Sequence, residues 1–196
     1  MTGPADGHPS REDPSRERPS SEDLPEGVLR QGVLLLLIDS AWTPTDAVPD
    51  PPPAAVVGGW PVLPDGSRGR FEPNPGHRPS TPDSPLDPVD AVLGLLARGE
   101  VGADVLTAAL RDVVLGVAVD ERGAAVVRPA PDDVPSVLVT TSPGHRRRVR
   151  AAGWRDVVLE QLAAALPDRG VDVLLNPGAP MSLRLPADTV REVARG

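Results

Sequence analysis

The chain has 196 residues and contains no cysteine, lysine or tyrosine, and aromatic residues make up only 2% of it. The absence of cysteine excludes disulfides, a thiol nucleophile and thiolate metal sites. Histidine occurs only at His8, His77 and His145, which disfavours a histidine-based metal centre but leaves an all-carboxylate cation site open. The scarcity of aromatic side chains also disfavours a stacking surface for single-stranded nucleic acid. The hydrophobic core must therefore consist mainly of Val, Leu and Ala.

Acidic residues outnumber basic residues, and the formal net charge is −8. An acidic protein repels the phosphates of nucleic acid, so this net charge disfavours a general nucleic-acid-binding function. The apolar run at residues 33–38 is far too short to cross a bilayer, and no apolar run precedes it. We therefore expect a cytoplasmic protein that has no signal peptide, does not insert into a membrane and carries no cofactor or metal.

Composition divides the chain into three parts. Residues 1–26 consist largely of Pro, Ser and charged residues, so we predict a disordered tail that folding does not require. A tail that folds on a partner is the alternative. Residues 27–82 are predicted to form a β-rich portion with a Pro-rich loop, and residues 83–196 an α+β domain.

Periodicity and turn residues predict the order of the elements. Strands are expected at residues 27–39, 54–63 and 68–71, and Gly58 and Gly59 mark a bulge or a close backbone approach. After a long Pro-rich loop at residues 72–88, Asp87 is expected to cap a helix that ends at Gly99. The remaining predictions are helices at residues 104–110 and 154–166 and after residue 186, and strands at residues 113–119, 124–128, 134–140, 171–175 and 181–185. This order predicts an α+β fold with a mixed β-sheet flanked by helices.

Several blocks of the sequence resemble a known family. The half from about residue 87 to 193 looks like an SseB-like domain, in which a helix, a strand, an Asn-Pro-Gly turn and a further strand follow one another. Most of residues 28–196 is similar to the actinobacterial group of type VII secretion system-associated proteins. The matching blocks lie at residues 58–60, 70–75, 79–80, 84–85, 87–91 and 176–178. The resemblance implies a non-enzymatic accessory protein whose partner is a protein, such as a component of the secretion system, and it brings no catalytic residue.

The contact surface for that partner is predicted on the Pro-rich loop at residues 72–88, and Trp60 and the turn at Asn176 are the next candidates. The residues are Trp60, Arg78, Pro79, Asn176, Pro177 and Gly178. Trp60 is either an anchor at the rim of an interface or, like Phe71, a core residue. The Asn-Pro-Gly segment is either a plain strand-to-strand turn, which we favour, or a loop whose backbone N–H groups bind a carboxylate.

A basic run supports an alternative function, the binding of an anionic ligand or nucleic acid. It consists of Arg146, Arg147, Arg148 and Arg150. The competing interpretation is a solvated turn whose charges pair with Asp156 or Glu160.

Two further sets of residues are candidates for catalysis or cation binding. Ser142 lies near His145, but no nucleophile-elbow motif surrounds it, so a serine hydrolase is not predicted. Asp83, Asp87 and Asp90 could bind a cation, although capping explains Asp87 and surface exposure explains the other two.

Overall fold

The computed structural model describes residues 28–31 and 34–196, so the predicted disordered tail, residues 1–26, lies outside the described residues. The strands are β1 (Val28–Gln31), β2 (Leu34–Ile38), β3 (Val56–Pro61), β4 (Glu72–Pro73), β5 (Leu115–Val119), β6 (Val127–Pro129), β7 (Pro135–Thr140), β8 (Gly153–Val157), β9 (Asp172–Leu175) and β10 (Leu183–Leu185). The helices are α1 (Pro88–Ala97), α2 (Ala103–Asp112), α3 (Leu159–Ala165) and α4 (Ala187–Arg195), with 3₁₀ turns at Pro53–Ala55 and Pro143–Arg148. The predicted α+β class is confirmed.

The strands form two sheets. Strands β1-β2-β3-β4 make an antiparallel four-stranded sheet, and β10-β9-β7-β5-β8 make a mixed sheet in which β6 also pairs with β7. In the mixed sheet β7 and β9 are parallel, whereas β5 is antiparallel to both β7 and β8. The carboxyl ends of β7 and β9 therefore lie side by side, which is where open sheets with parallel strands place their binding sites.

One hydrophobic cluster joins the two predicted folded parts of the chain. Trp60 and Phe71 from the N-terminal portion pack in the same cluster as Val89, Leu110 and Val173 from the C-terminal portion. The rings of Trp60 and Phe71 meet edge to face with centroids 5.0 Å apart. Trp60 is only 4% exposed, so its side chain belongs to the core and is not available as an anchor at an interface rim. The domain boundary at residue 83 remains a prediction.

Gly58 confirms the predicted close backbone approach in β3. A Cβ atom at this position would lie 2.3 Å from Cζ of Phe71 and 2.4 Å from the carbonyl oxygen of Glu72. Strand β4 pairs with β3 at this point, where Gly58 faces Pro73 and Gly59 faces Glu72. The missing side chain therefore lets Phe71 enter the core beneath the sheet.

The predicted helix at residues 154–166 is wrong in its first half. Gly153–Val157 forms the edge strand β8, which pairs with β5 from Leu115↔Val157 to Val119↔Gly153, and only Leu159–Ala165 is helical. Apolar residues at 154, 157, 158 and 162 have helical spacing by coincidence. Pairing with β5 overrides that local pattern, and the β-branched Val157 and Val158 suit a strand.

Three predicted strands differ in extent. The strand predicted at residues 27–39 is two antiparallel strands, in which Val28 faces Leu37. The strand predicted at residues 68–71 begins later, at Glu72, because Arg68 makes only an isolated bridge to Val62. The strand predicted at residues 124–128 lies instead at Val127–Pro129, where it pairs with β7. In each case pairing with a distant strand sets the boundary, and the local sequence pattern does not indicate where that pairing starts or stops.

The remaining local predictions agree with the structure. Asp87 caps α1 through bonds from Val89 N and Asp90 N, and Gly99 follows the helix with a positive φ of 72°. Asn176 and Gly178 also have positive φ, 48° and 75°. Among the described residues, no helix is both long and apolar enough to cross a lipid bilayer.

Replacing Gly58 by alanine tests the close approach. We expect Gly58→Ala to lower the free energy of unfolding by about 1–3 kcal/mol, because the new methyl group must displace the Phe71 ring or the β4 backbone. Gly94→Ala is the matched control, since its Cβ would meet only the Arg98 side chain at 3.5 Å and a helical alanine is favoured. Denaturant unfolding measures both, and equal stability of the two variants would contradict the prediction.

Candidate functional site

A buried polar cluster lies at the carboxyl ends of the parallel strands β7 and β9. Its members, here called the acid–histidine cluster, are Asp87, Asp90, Thr141, His145 and Asn176. Thr141 follows β7 directly and Asn176 follows β9 directly. Four of the five are buried, and Asp90 is half-buried. Buried polar groups are costly unless they bond one another, so the bonds within this cluster decide its role.

Asp87 connects helix α1 to the end of β7. Its Oδ1 accepts hydrogen bonds from Val89 N at 2.8 Å and Asp90 N at 3.0 Å, which is the N-cap arrangement. Its Oδ2 accepts the hydroxyl of Thr141 at 2.6 Å. A fully buried carboxylate is thus satisfied by the helix end on one side and by the sheet on the other.

His145 carries the positive charge of the cluster. Its Nε2 donates to Asp90 Oδ2 at 2.8 Å and lies 3.6 Å from Asp87 Oδ2. Burial favours the neutral imidazole, but the hydrogen bonds and charges of Asp87 and Asp90 outweigh it and raise the pKa of His145 to about 9. The ring is therefore an imidazolium at neutral pH.

Asn176 joins the cluster from β9. Its Oδ1 accepts Thr141 N at 2.9 Å, its Nδ2 donates to Asp90 Oδ1 at 3.2 Å, and its own N–H donates to Val139 O at 2.8 Å. The left-handed backbone conformation predicted for Asn176 thus aims its amide inward. Because the side chain is buried, it cannot itself contact a partner on the surface.

Asp87, Asp90 and His145 are also of the residue types that bind metal ions, and their ligand atoms lie within 4.8 Å of one another. The carboxylate oxygens already accept bonds from Val89, Leu86 and Asn176 and from Thr141 and His145. The imidazolium proton and the helix N-terminus supply positive charge to both carboxylates. The carboxylates are accounted for as a helix cap and the partners of a cation, whereas His145 Nδ1 is buried without a hydrogen-bond partner among the described residues. We assign no metal to the cluster.

The geometry also bears on a serine nucleophile. The hydroxyl of Ser142 is buried and has no hydrogen-bond partner among the described residues. His145 directs Nε2 to Asp90, and an imidazolium at neutral pH cannot accept a proton from a hydroxyl. Ser142 and His145 thus lack the nucleophile–base bond that acyl transfer requires.

A cleft of about 360 Å³ adjoins the acid–histidine cluster. Its walls come from residues 79–86 of the Pro-rich loop, from α1, from the 3₁₀ turn Pro143–Arg148 and from residues 179–181. Asp90 and His145 belong to both the cleft and the cluster. Met181 also lines the cleft and is 37% exposed, so the cleft includes an accessible apolar side chain.

The predicted partner-binding residues fall into two groups. Pro79 lines the cleft, and its exposed neighbour Arg78 lies next to it in the chain. Gly178 is exposed, Pro177 is half-buried, and both lead into the 179–181 wall. Trp60 and Asn176 are instead buried in the core and in the cluster.

The arginine run does not form a single clamp. Arg146 bonds Asp156, as the solvated-turn interpretation predicted, and its guanidinium lies 5.2 Å from the centroid of the Trp154 ring. Arg148 lines the cleft, whereas Arg150 lines a separate shallow depression with Arg122 and Arg128. Arg147 is exposed. The side chains therefore diverge over three parts of the surface.

Sequence reasoning missed the acid–histidine cluster as a unit. It recognised Asp87 as a cap and considered His145 beside Ser142, but Asp90 and His145 are 55 positions apart. Buried Asp39 and Ser84, which bond each other at 2.9 Å, were also missed. The sequence signal for such buried polar residues is a polar residue directly after an apolar strand, as at Asp39, Thr141 and Asn176. This signal does not show which of these residues contact one another.

Comparisons with known proteins identify no relative: no family model, no curated protein and no solved structure matches this chain.

The pKa of His145 predicts a dependence of stability on pH. Since the pKa of about 9 in the folded protein exceeds the ordinary histidine pKa of 6.5, the stabilisation is complete below pH 6.5 and is lost as the pH rises through about 9. We expect the free energy of unfolding to fall by up to about 3 kcal/mol across this window. Urea unfolding at a series of pH values measures it.

His145→Gln should remove most of this slope, because the variant has no proton to release there. His77→Gln is the matched control, and it should keep the slope. A wild-type stability that is flat between pH 6.5 and 9 would refute the assignment of His145 as a buried cation.

Proposed function

We propose that this chain is a non-enzymatic accessory protein that binds another protein through the cleft. The observation that carries the proposal is the cleft itself, about 360 Å³ in volume, between the Pro-rich loop and residues 179–181. Exposed loops held on a rigid scaffold are common binding surfaces. Met181, half-buried Leu86 and the loop prolines offer apolar contact area, while Arg148 and Asp83 offer polar contacts.

The resemblance to type VII secretion system-associated proteins supports a component of that system as the partner. Two of its blocks, residues 79–80 and 84–85, belong to the loop that borders the cleft, and a third, residues 176–178, leads into the opposite wall. The cluster beneath the cleft supports a binding role, because the Asp87 and Asp90 carboxylates are engaged by the N-cap, Thr141 and His145 bonds and the His145 ring is paired with both. A cytoplasmic location remains part of the proposal.

A second candidate function is binding of an anionic ligand or nucleic acid. The observation that favours it is that Arg147, Arg148 and Arg150 make no ion pair with the described residues. Against it, these side chains diverge, Arg146 is bonded to Asp156, and the chain has a net charge of −8. We therefore rank it below the protein-binding function.

Affinity purification from the source organism, followed by mass spectrometry, tests the first function. We expect the wild-type protein to recover a product of a secretion gene cluster. The recovered amount of that product should fall at least about tenfold with Met181→Asp, since a charge would be buried in the contact. Leu63→Asp is the matched control, because Leu63 is also an exposed apolar residue, at 43%, but lies outside the cleft. Equal recovery by both variants would place the contact elsewhere, and turnover of a metabolite without any partner would refute the proposal.

A mobility-shift titration at moderate salt tests the second function. We expect no shift of DNA or RNA at micromolar protein, because a divergent arginine set on an acidic protein does not neutralise adjacent phosphates. Arg147→Ala is the informative variant, since Arg147 is exposed and has no ion pair among the described residues. Micromolar binding that both Arg147→Ala and added salt weaken would make this function the better supported one.

A further inference from the structure

Residues 79–85, here called the strap, form one wall of the cleft. All of them except Ser80 line it. Residues 79–83 are exposed, whereas Ser84 is buried and Pro85 is half-buried. The prolines at 79, 82 and 85 have no N–H group and restrict φ, so the strap is stiff but has few donors with which to bind the rest of the protein.

The strap is fixed at both ends. Just before it, Arg78 N donates to Ala54 O at 2.9 Å, and just after it, Leu86 N donates to Asp90 Oδ2 at 3.2 Å. Between these anchors, the hydrogen bonds from the strap to the rest of the described chain all end on Asp39. Ser80 N donates to Asp39 Oδ2 at 2.9 Å, and Ser84 Oγ donates to Asp39 Oδ1 at 2.9 Å.

Asp39 is well placed to hold the strap. It directly follows β2 and is fully buried, and its backbone N–H donates to Ala55 O at 2.9 Å. Burial alone would raise the pKa of Asp39, but hydrogen bonds from Ser80, Ala41 and Ser84 hold that pKa below its usual range. The carboxylate is therefore ionised at neutral pH, and its bonds to the strap are charge-assisted.

The strap is also closed on itself. Thr81 N donates to Ser84 Oγ at 3.1 Å, and Ser84 N donates to Thr81 O at 3.2 Å. Residues 81–84 thus form a turn that does not need Asp39 for its shape. Since the turn is attached to the body through Asp39, breaking this attachment releases the turn as a unit.

We propose that the strap opens and closes the cleft, and that Asp39 is the latch that holds it closed. Opening swings the exposed prolines away from Met181 and widens the entrance, while the anchors at Arg78 and Leu86 act as hinges. The role of this opening in admitting a partner depends on the proposed function, but the opening itself does not.

Amide hydrogen exchange measured by NMR on the full chain tests the latch. Asp39→Asn keeps the size of the side chain but removes its charge and replaces one acceptor oxygen with a donor. We expect the amide of Ser80, which donates to Asp39, to exchange about tenfold or more faster, as the loss of a hydrogen bond to a charged acceptor implies. The amides of Thr81 and Ser84 are bonded within the turn and should change less. The amide of Asn176, which is buried and bonded to Val139 O, should change much less.

Two further variants make the experiment specific. Ser84→Ala removes one of the two latch bonds, together with the bond from Thr81 N, and leaves the bond from Ser80 N to Asp39 in place. It should therefore accelerate exchange at Ser80 by a smaller factor. Asp83→Asn is the matched control, because Asp83 is an exposed strap carboxylate without a hydrogen bond or ion pair among the described residues, and it should leave the rates unchanged. If Asp39→Asn does not fold, Ser84→Ala decides the question.

Two results would overturn the proposal. One is unchanged exchange of the Ser80 amide in both latch variants. The other is acceleration of the Ser80 amide by the same factor as that of Asn176, because the strap would then open only when the whole fold opens. Neither result depends on whether a partner exists, so failure of the latch and failure of the proposed function are distinguishable.

Discussion

The contact between the His145 imidazolium and the carboxylates of Asp87 and Asp90 holds the parts of the site together. The three side chains come from the start of α1 and from the 3₁₀ turn after β7, and Asn176 connects them to the end of β9. Removing one partner of such a buried group leaves the other charges uncompensated, which typically costs about 3–5 kcal/mol. The cluster therefore specifies where α1 begins relative to the sheet, although its net contribution to stability is smaller than that cost.

This specification matters because the core lacks large side chains. Among the described residues, the aromatic members of the main cluster are Trp60 and Phe71, and the rest is aliphatic. An aliphatic core that is uniform in shape tolerates alternative packings, whereas a polar network with a fixed set of donors and acceptors does not. Phe71, which packs against both Trp60 and Gly58, supplies the corresponding constraint at the other sheet, since only a residue without a side chain fits at position 58.

Local chemistry determines the parts of the fold that could be predicted from the sequence. The Asp87 cap, the turn at Asn176 and Gly178, and the close approach at Gly58 each depend on the conformational limits of one or two residues. Pairing between distant strands determines the parts of the fold that could not be predicted from the sequence. Strand β8 forms because β5 offers it an edge, and no pattern within residues 153–157 contains that information. The candidate site belongs mostly to the second class, because the bond between His145 and Asp90 follows from topology.

Two buried carboxylates, Asp87 and Asp39, bond to elements that line the cleft, and their surroundings give them different mechanical roles. Asp87 is bonded to a helix N-terminus, to Thr141 and to a cation, so its neighbours move only if helix and sheet separate. Asp39 is bonded on one side to its own strand end and on the other to a stiff surface segment, without a cation partner among the described residues. The first arrangement gives a rigid floor and the second a detachable wall. If a partner enters such a cleft only when the wall is open, its apparent affinity is the intrinsic affinity multiplied by the fraction of time for which the wall is open. The strength of the proposed Asp39 latch then modulates that affinity, although Asp39 does not contact the partner.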